Sequence, residues 1–389
     1  MFSKSNSTHR VKATNPYLPV SLIGFVLMFF ALAAQGQQVH QLLYNNASWA
    51  DQNLSGASTD LHTGVAAFLT TPNNGLHTYY LASDDDVHQL YLPGTTWVEE
   101  DLTLTASAPK AIAGSAVAGF SVQNFQYVYF VAQNQHVHQL LYNNSTWIDS
   151  DLTAAVGGTL ISPTNQLTAV LTGTSGLHVY YVASSGHMQQ LYNVNGNWQI
   201  QDLTVVSGGP LANPNGMSAV VIANFQYVFY VANTGHVHEL TYNNTTWVDA
   251  DLTGLSKSLP SAGGSGVTAM VIPGSTKLRV FTIANNDHML QLGSGNNKAW
   301  TSSDLTKLAK APLANPANGT VAFATTPNNQ LHVYYLSGNH VNQLFLPTPA
   351  TKWQNQDLTN LALAPPASGT SGMAGFSLQN FQYVFYVGN

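Results

Sequence analysis

Histidine, aspartate and tryptophan recur along this chain at regular spacing, and that spacing limits the chemistry they can do. The segment HVHQLLYNNSTWIDSDLT (136–153) returns as VHQLLYNNASWADQNLS (39–55), VHQLYLPGTTWVEEDLT (87–103), HMQQLYNVNGNWQIQDLT (187–204) and HVHELTYNNTTWVDADLT (236–253). Two looser copies are HMLQLGSGNNKAWTSSDLT (288–306) and HVNQLFLPTPATKWQNQDLT (340–359). His136 and His138, like His236 and His238, lie two apart, so on a strand each pair shares a face and could hold a metal ion. No third ligand accompanies them, and both pairs sit inside repeats, where a histidine closing a turn by hydrogen bonding is the simpler reading. The aspartate of each Asp-Leu-Thr (Asp101, Asp151, Asp202, Asp251, Asp304, Asp357) reads as a turn or strand cap. Asp84-Asp85-Asp86 reads as a solvated loop tip. Every tryptophan falls at one repeat position: Trp49, Trp97, Trp147, Trp198, Trp247, Trp300 and Trp353. Such a residue either packs neighbouring units together or offers a face on which a ligand ring stacks.

Enzymatic and nucleic-acid chemistries are poorly supplied. The chain has no cysteine, which removes disulfides, thiolate nucleophiles and cysteine zinc sites. Its glutamates are Glu99, Glu100 and Glu239, so paired-carboxylate catalysis has little to draw on. Its arginines are Arg10 and Arg279, and charged residues make up 7%, too few cations to neutralise a run of phosphates. The most divergent unit (267–306) carries Lys277, Arg279 and Asp287 without a base–nucleophile pair. No cofactor or metal is called for, and nucleic acid is not an expected partner.

The elements that position these residues follow from the repeat. The period at the residue after the histidine (Val39, Val87, Val137, Met188, Val237, Met289, Val341) is 48 to 52 residues. Each unit holds four short β-branched and aromatic runs separated by Gly, Asn, Pro and Ser turns, which spells a four-stranded antiparallel meander. Units of that size match a propeller blade. The second half of a unit comes first, at 38–55, and a first half comes last, at 371–389; seven of each half occur. The expected fold is therefore all-β: a seven-bladed β-propeller of four-stranded antiparallel blades spanning 35–389, closed by N- and C-terminal half-blades. Two blade types alternate. One carries NFQYV (124–128, 224–228, 380–384) and the other LH-V/T-YY (76–80, 177–181, 331–335), apart from the divergent blade at 267–306.

Ahead of the repeats, Lys4, Arg10 and Lys12 precede the apolar run Val20 to Ala34, too short for a span of about 20 residues. Basic n-region, apolar h-region and small residues at Ala31-Leu32-Ala33 predict a signal peptide over 1–34 and a secreted or periplasmic protein with no membrane insertion after cleavage, an uncleaved anchor being the alternative. Cleavage would leave 8 Lys+Arg against 17 Asp+Glu, a net charge of −9.

The blade text, LHVYY…HMQQL…W or QYVFY…HVHELTYNNTTW, resembles the fungal and bacterial fucose-specific lectins, whose blades read roughly I-R-V-Y-Y, then I-x-E, then an aromatic pair ending in Trp. Members have six blades; seven are counted here. In that family the Arg and Glu of one blade hydrogen-bond the sugar and aromatics of the next blade stack on it. The resemblance places His77, Tyr127, His178, Tyr227, Arg279, His332 and Tyr383 at the Arg position. At the Glu position it places Gln89, Gln139, Gln190, Glu239, Gln291, Gln343 and Gln41. The stacking Trp is kept throughout, with a second aromatic at Tyr44, Tyr142 and Tyr242. The resemblance thus implies carbohydrate sites at His77/Gln89 with Tyr142/Trp147, His178/Gln190 with Tyr242/Trp247, and His332/Gln343 with Tyr44/Trp49. It also implies less complete sites at Arg279/Gln291 with Trp353, and at Tyr227/Glu239 with Trp300. A mostly His–Gln clamp is neutral near pH 7, so several weak sites acting together on glycans or glycoconjugates are expected. A non-catalytic protein-interaction propeller and, further off, an enzyme on a propeller scaffold are the alternatives.

Overall fold

The computed structural model describes residues 37–56, 59, 64–162, 166–294, 299–349, 351–369 and 371–389; the expected signal peptide lies outside them. They form seven four-stranded antiparallel sheets. We number these as blades 1 (66–101), 2 (117–151), 3 (167–202), 4 (212–251), 5 (267–304), 6 (321–357) and 7 (373–388 with 38–53). The innermost strands of successive blades adjoin in cyclic order, so the sheets close into a ring. Blade 7 takes two strands from each end of the sequence, and Gln38–Tyr44 pairs with Phe381–Gly388 over seven residue pairs, from Gln38↔Gly388 to Tyr44↔Gln382. Among the described residues no helix is long and apolar enough to cross a membrane.

Each blade's second strand is buried on both faces. The consecutive aromatics Tyr79–Tyr80, Tyr129–Phe130, Tyr180–Tyr181 and Tyr334–Tyr335 are all fully enclosed. Because strand side chains alternate, each pair feeds two different inter-blade cores: Tyr180 packs with Trp247 of blade 4, and Tyr181 with Leu152 and Ile161 on the blade 2 side. Seven such cores result, one per interface, each holding the tryptophan of one blade. The axis is lined by small residues, including Ala66, Ala118, Ala169, Ala322 and Ala374. Gly119 is required there: a Cβ would come within 2.8 Å of the Phe68 ring of blade 1 and 2.7 Å of the Tyr127 carbonyl.

The Asp-Leu-Thr motif turns out to build a one-turn helix after the outermost strand of blades 1 to 6, an element the four-strand reading had not included. In Leu152–Val156, Asp151 is the N-cap and accepts from the Ala154 N–H at 2.8 Å, the usual use of a short polar side chain at that position. Leu152 is buried, and the Thr153 hydroxyl accepts the Val137 N–H at 2.9 Å. The recurring histidine binds the same aspartate: His136 Nδ1 lies 2.7 Å from Asp151 Oδ2, with equivalents at His187–Asp202, His236–Asp251, His288–Asp304 and His340–Asp357. Burial pushes the carboxyls of Asp151, Asp202, Asp251 and Asp304 up, but the capping N–H and the histidine together hold them below the usual range. The second histidine of each pair is also taken, His138 by Asp149 at 3.0 Å and His238 by Asp249 at 3.0 Å. The acidic turn at 84–86 is answered by Lys110, which donates to the Asp84 carbonyl at 2.6 Å and lies 3.4 Å from Asp86.

Candidate functional site

The interface between blades 3 and 4 holds a cleft of about 410 Å³ whose walls include His178, Gln190, Tyr192, Gln201, Gln226, Tyr242 and Trp247. Its polar wall is a closed hydrogen-bond network. Gln190 is the hub: its side-chain nitrogen lies 2.8 Å from His178 Nδ1, 3.2 Å from the Tyr180 hydroxyl and 2.9 Å from Gln226 Oε1. The Tyr180 hydroxyl itself donates to Gln226 Oε1. Since Nδ1 of His178 accepts, its proton sits on Nε2, 2.8 Å from the Thr172 hydroxyl. Burial lowers the imidazole to about 4, which keeps it neutral at ordinary pH. These bonds use the Gln190 amide nitrogen and Gln226 Oε1, which leaves Gln190 Oε1 as an acceptor and the Gln226 amide nitrogen as a donor on residues that both line the cleft. The opposite wall is aromatic. Tyr242 and Trp247 sit 5.3 Å apart between ring centroids, and the indole N–H of Trp247 is fixed by Gln201 Oε1 at 3.2 Å.

The same construction appears twice more. Between blades 1 and 2, Gln89 lies 2.5 Å from His77 Nδ1, 3.1 Å from the Tyr79 hydroxyl and 2.9 Å from Gln126 Oε1, beside Tyr142 and Trp147. Between blades 6 and 7, Gln343 contacts His332, Tyr334 and Gln382 at 2.9, 3.0 and 2.8 Å, beside Tyr44 and Trp49. Burial lowers His77 to about 4 and His332 to about 3. A cleft of about 470 Å³ opens over the blade 6/7 network, walled by Tyr44, Asn46, Asn328, Asn380 and Gln382 among others. All three residue sets grouped on sequence grounds are therefore brought together. The tryptophans pack in the inter-blade cores: Trp49, Trp147 and Trp247 are buried, 6 to 9% exposed, and Trp247 also lines the blade 3/4 cleft.

The remaining candidates are arranged differently. Arg279 does not reach across to Gln291; its Nη1 donates to the carbonyls of Leu278 at 2.8 Å and Ser294 at 3.3 Å. Gln291 Oε1 is buried without a hydrogen-bond partner among the described residues, while Trp353 packs in the core of that interface. Glu239 accepts from the Thr241 hydroxyl through one oxygen and buries the other unpaired; burial raises its carboxyl above the usual range. Tyr227 and Trp300 are in the blade 4/5 core beside it.

Six residues central to the networks had not been singled out: Tyr79, Tyr180 and Tyr334, and the glutamines Gln126, Gln226 and Gln382. The signal was present in the alternation of blade types. The glutamine of NFQYV sits where the other blades carry leucine (Leu76, Leu177, Leu278, Leu331), and it always meets the tyrosine of a preceding LH-V/T-YY blade.

Solved structures with this architecture come from fungi and bacteria. The BP39L lectin from Burkholderia pseudomallei is 15% identical, covers 82% of this chain and 98% of its own, and superposes with a TM-score of 0.60. The fucose-specific lectin from Aleuria aurantia, a six-bladed propeller, is 16% identical over 80% of this chain and 98% of its own, TM-score 0.57. AofleA from Arthrobotrys oligospora is 12% identical over 90% and 92%, TM-score 0.56. These likenesses are of fold. No curated protein sequence matches the chain. The sequence profile of the fungal fucose-specific lectins matches residues 26–166 and 164–389, nearly the whole length. The repeated blade, the inter-blade clefts and that profile agree: the chain belongs to the fungal fucose-specific lectin family, in a seven-bladed form.

Proposed function

We propose that this protein is a carbohydrate-binding lectin with three principal sites, in the clefts between blades 1 and 2, 3 and 4, and 6 and 7. The observation that carries the reading is the triple occurrence of one neutral His–Gln–Tyr–Gln network opposite a Tyr–Trp pair, with a cleft over the network at the blade 3/4 and 6/7 interfaces. A glutamine acceptor and a glutamine amide donor facing one space suit neighbouring sugar hydroxyls, and the aromatic wall suits the apolar face of a pyranose ring. Neutral hydrogen bonds are worth about 1 kcal/mol net, against about 1.5–3 kcal/mol for charge-assisted ones. Each site is therefore weak, not centred on free fucose, and three on one ring gain through avidity on a glycan-coated surface. This reading asks for no catalytic group, and the basic-then-apolar start of the sequence supports an extracytoplasmic location. A glycan array on the repeat region, followed by calorimetry with the best methyl glycoside, tests it. Gln190→Ala and Tyr242→Ala should each remove one of three equivalents of binding. Full binding in both variants, or no glycan bound at all, sinks the proposal.

A further inference from the structure

The three interfaces share their networks but differ at one strand position. The residue paired across the ladder from the hub glutamine is Gln201 in blade 3 and Gln356 in blade 6, but Glu100 in blade 1. Directly opposed residues project from the same face of a sheet, and Gln201 is a wall of its cleft. Glu100 thus places a carboxylate at the equivalent position of the blade 1/2 interface, beside the hub Gln89. Its one hydrogen bond is a long one, from the Thr105 hydroxyl at 3.4 Å. The nearby cation, Lys110, is committed to Asp84 and Asp86, and no ion pair to Glu100 occurs among the described residues. Where Gln201 is tied to the indole of Trp247, no corresponding bond from Trp147 to Glu100 exists among the described residues. After burial itself, the Glu100 charge also acts to raise the hydroxyl of the enclosed Tyr79, so its field reaches the network. The carboxylate is therefore unneutralised, at the edge of a site otherwise built for neutral hydroxyls.

We propose that the blade 1/2 cleft is selective for sugars bearing a protonated amine, with Glu100 as the specificity-determining residue, while the blade 3/4 and 6/7 clefts take neutral sugars; this rests on the reading of the three clefts as carbohydrate sites. Exchanging a neutral hydrogen bond for an ammonium–carboxylate one corresponds to about tenfold in affinity. The test is calorimetry on the full chain with methyl glycosides of glucosamine, galactosamine and fucosamine, each paired with its N-acetyl counterpart. One amino sugar should bind about tenfold tighter than its acetylated partner, at one site per chain. Raising salt should narrow the gap, Glu100→Gln should abolish it, and Gln201→Glu should create a second such site. If each pair binds alike, or the preference survives Glu100→Gln, the inference fails while the neutral-sugar reading stands. If no glycoside binds, both fail.

Discussion

The seven inter-blade interfaces fall into two kinds, and the contrast shows what alternating blade types accomplish. At the blade 1/2, 3/4 and 6/7 interfaces a tyrosine hydroxyl and a hub glutamine meet the glutamine of NFQYV, and the central polar atoms are paired. At the blade 2/3, 4/5, 5/6 and 7/1 interfaces the incoming blade offers leucine instead, Leu177, Leu278, Leu331 and Leu76. At the first three of these the Tyr129 hydroxyl, Gln139 Oε1, Glu239 Oε2 and Gln291 Oε1 are buried without hydrogen-bond partners among the described residues. An unpaired buried polar group costs about 1–3 kcal/mol, so the second kind of interface carries a polar burden that the first has resolved. The lesson is that a repeated tyrosine–glutamine pair becomes a site only when the next blade supplies its complement.

The harshest way to break the contrast is to remove one partner blade. Deleting 371–389 takes away Gln382 together with half of blade 7, and the ring loses the β-pairing that closes it. Cooperative thermal unfolding should be lost in circular dichroism; a truncated chain that melts like the intact one contradicts closure through blade 7.

Converting one kind of interface into the other is milder. Gln226→Leu should leave the Tyr180 hydroxyl without its acceptor and lower stability by about 1–3 kcal/mol in denaturant titration, with loss of binding at that cleft. The reverse change, Leu177→Gln, puts an amide opposite Tyr129 and should stabilise the blade 2/3 interface; a loss of stability there would mean the complement is not the glutamine alone.

Acid separates the two kinds through their histidines. His77, His178 and His332 have folded values near 4, 4 and 3 against 6.5 unfolded. Below pH 6.5 the unfolded chain therefore takes up protons that the folded networks refuse, and stability falls with pH from about 6.5 to about 4. His88 is raised, because its bond to Glu99 and nearby acids outweigh its burial, and burial raises the carboxyls of Glu239 and Asp86 as well, so these groups oppose the trend. The slope of unfolding free energy against pH over that window should shrink in His178→Gln. An unchanged slope would show that the network histidines do not dominate it.

The smallest effect expected is from Arg279→Ala. Its guanidinium is occupied by two backbone carbonyls of its own blade, so calorimetry should register a smaller loss of total glycoside binding than in Gln190→Ala. A larger loss would relocate the main site to the blade 5/6 interface.

Much of this was legible beforehand. The 48- to 52-residue period and the split halves at 38–55 and 371–389 gave the seven blades and their closure, and the family pattern grouped His77/Gln89, His178/Gln190 and His332/Gln343 with the aromatics that the fold sets in the same interfaces. The Asp-Leu-Thr aspartates were recognised as caps, though not of helices, because a five-residue helix is too short for its own periodicity to show. Gln126, Gln226 and Gln382 stayed hidden because their role depends on a residue of the preceding blade some 46 to 48 positions away.

What the sequence by itself determined is everything governed by repetition and alternation: strand number, blade type and ring closure. Only the tertiary structure decided how these repeated residues were used. Gln139 and Gln190 occupy one repeat position, yet Gln190 anchors a network and Gln139 is left with an unpaired oxygen. Arg279 sits where His178 does, yet folds back onto its own strands. The physical reason is that hydrogen bonding is pairwise and directional. A repeat fixes which groups each blade presents, but whether a group is satisfied, orphaned or free for a ligand depends on the neighbouring blade it meets.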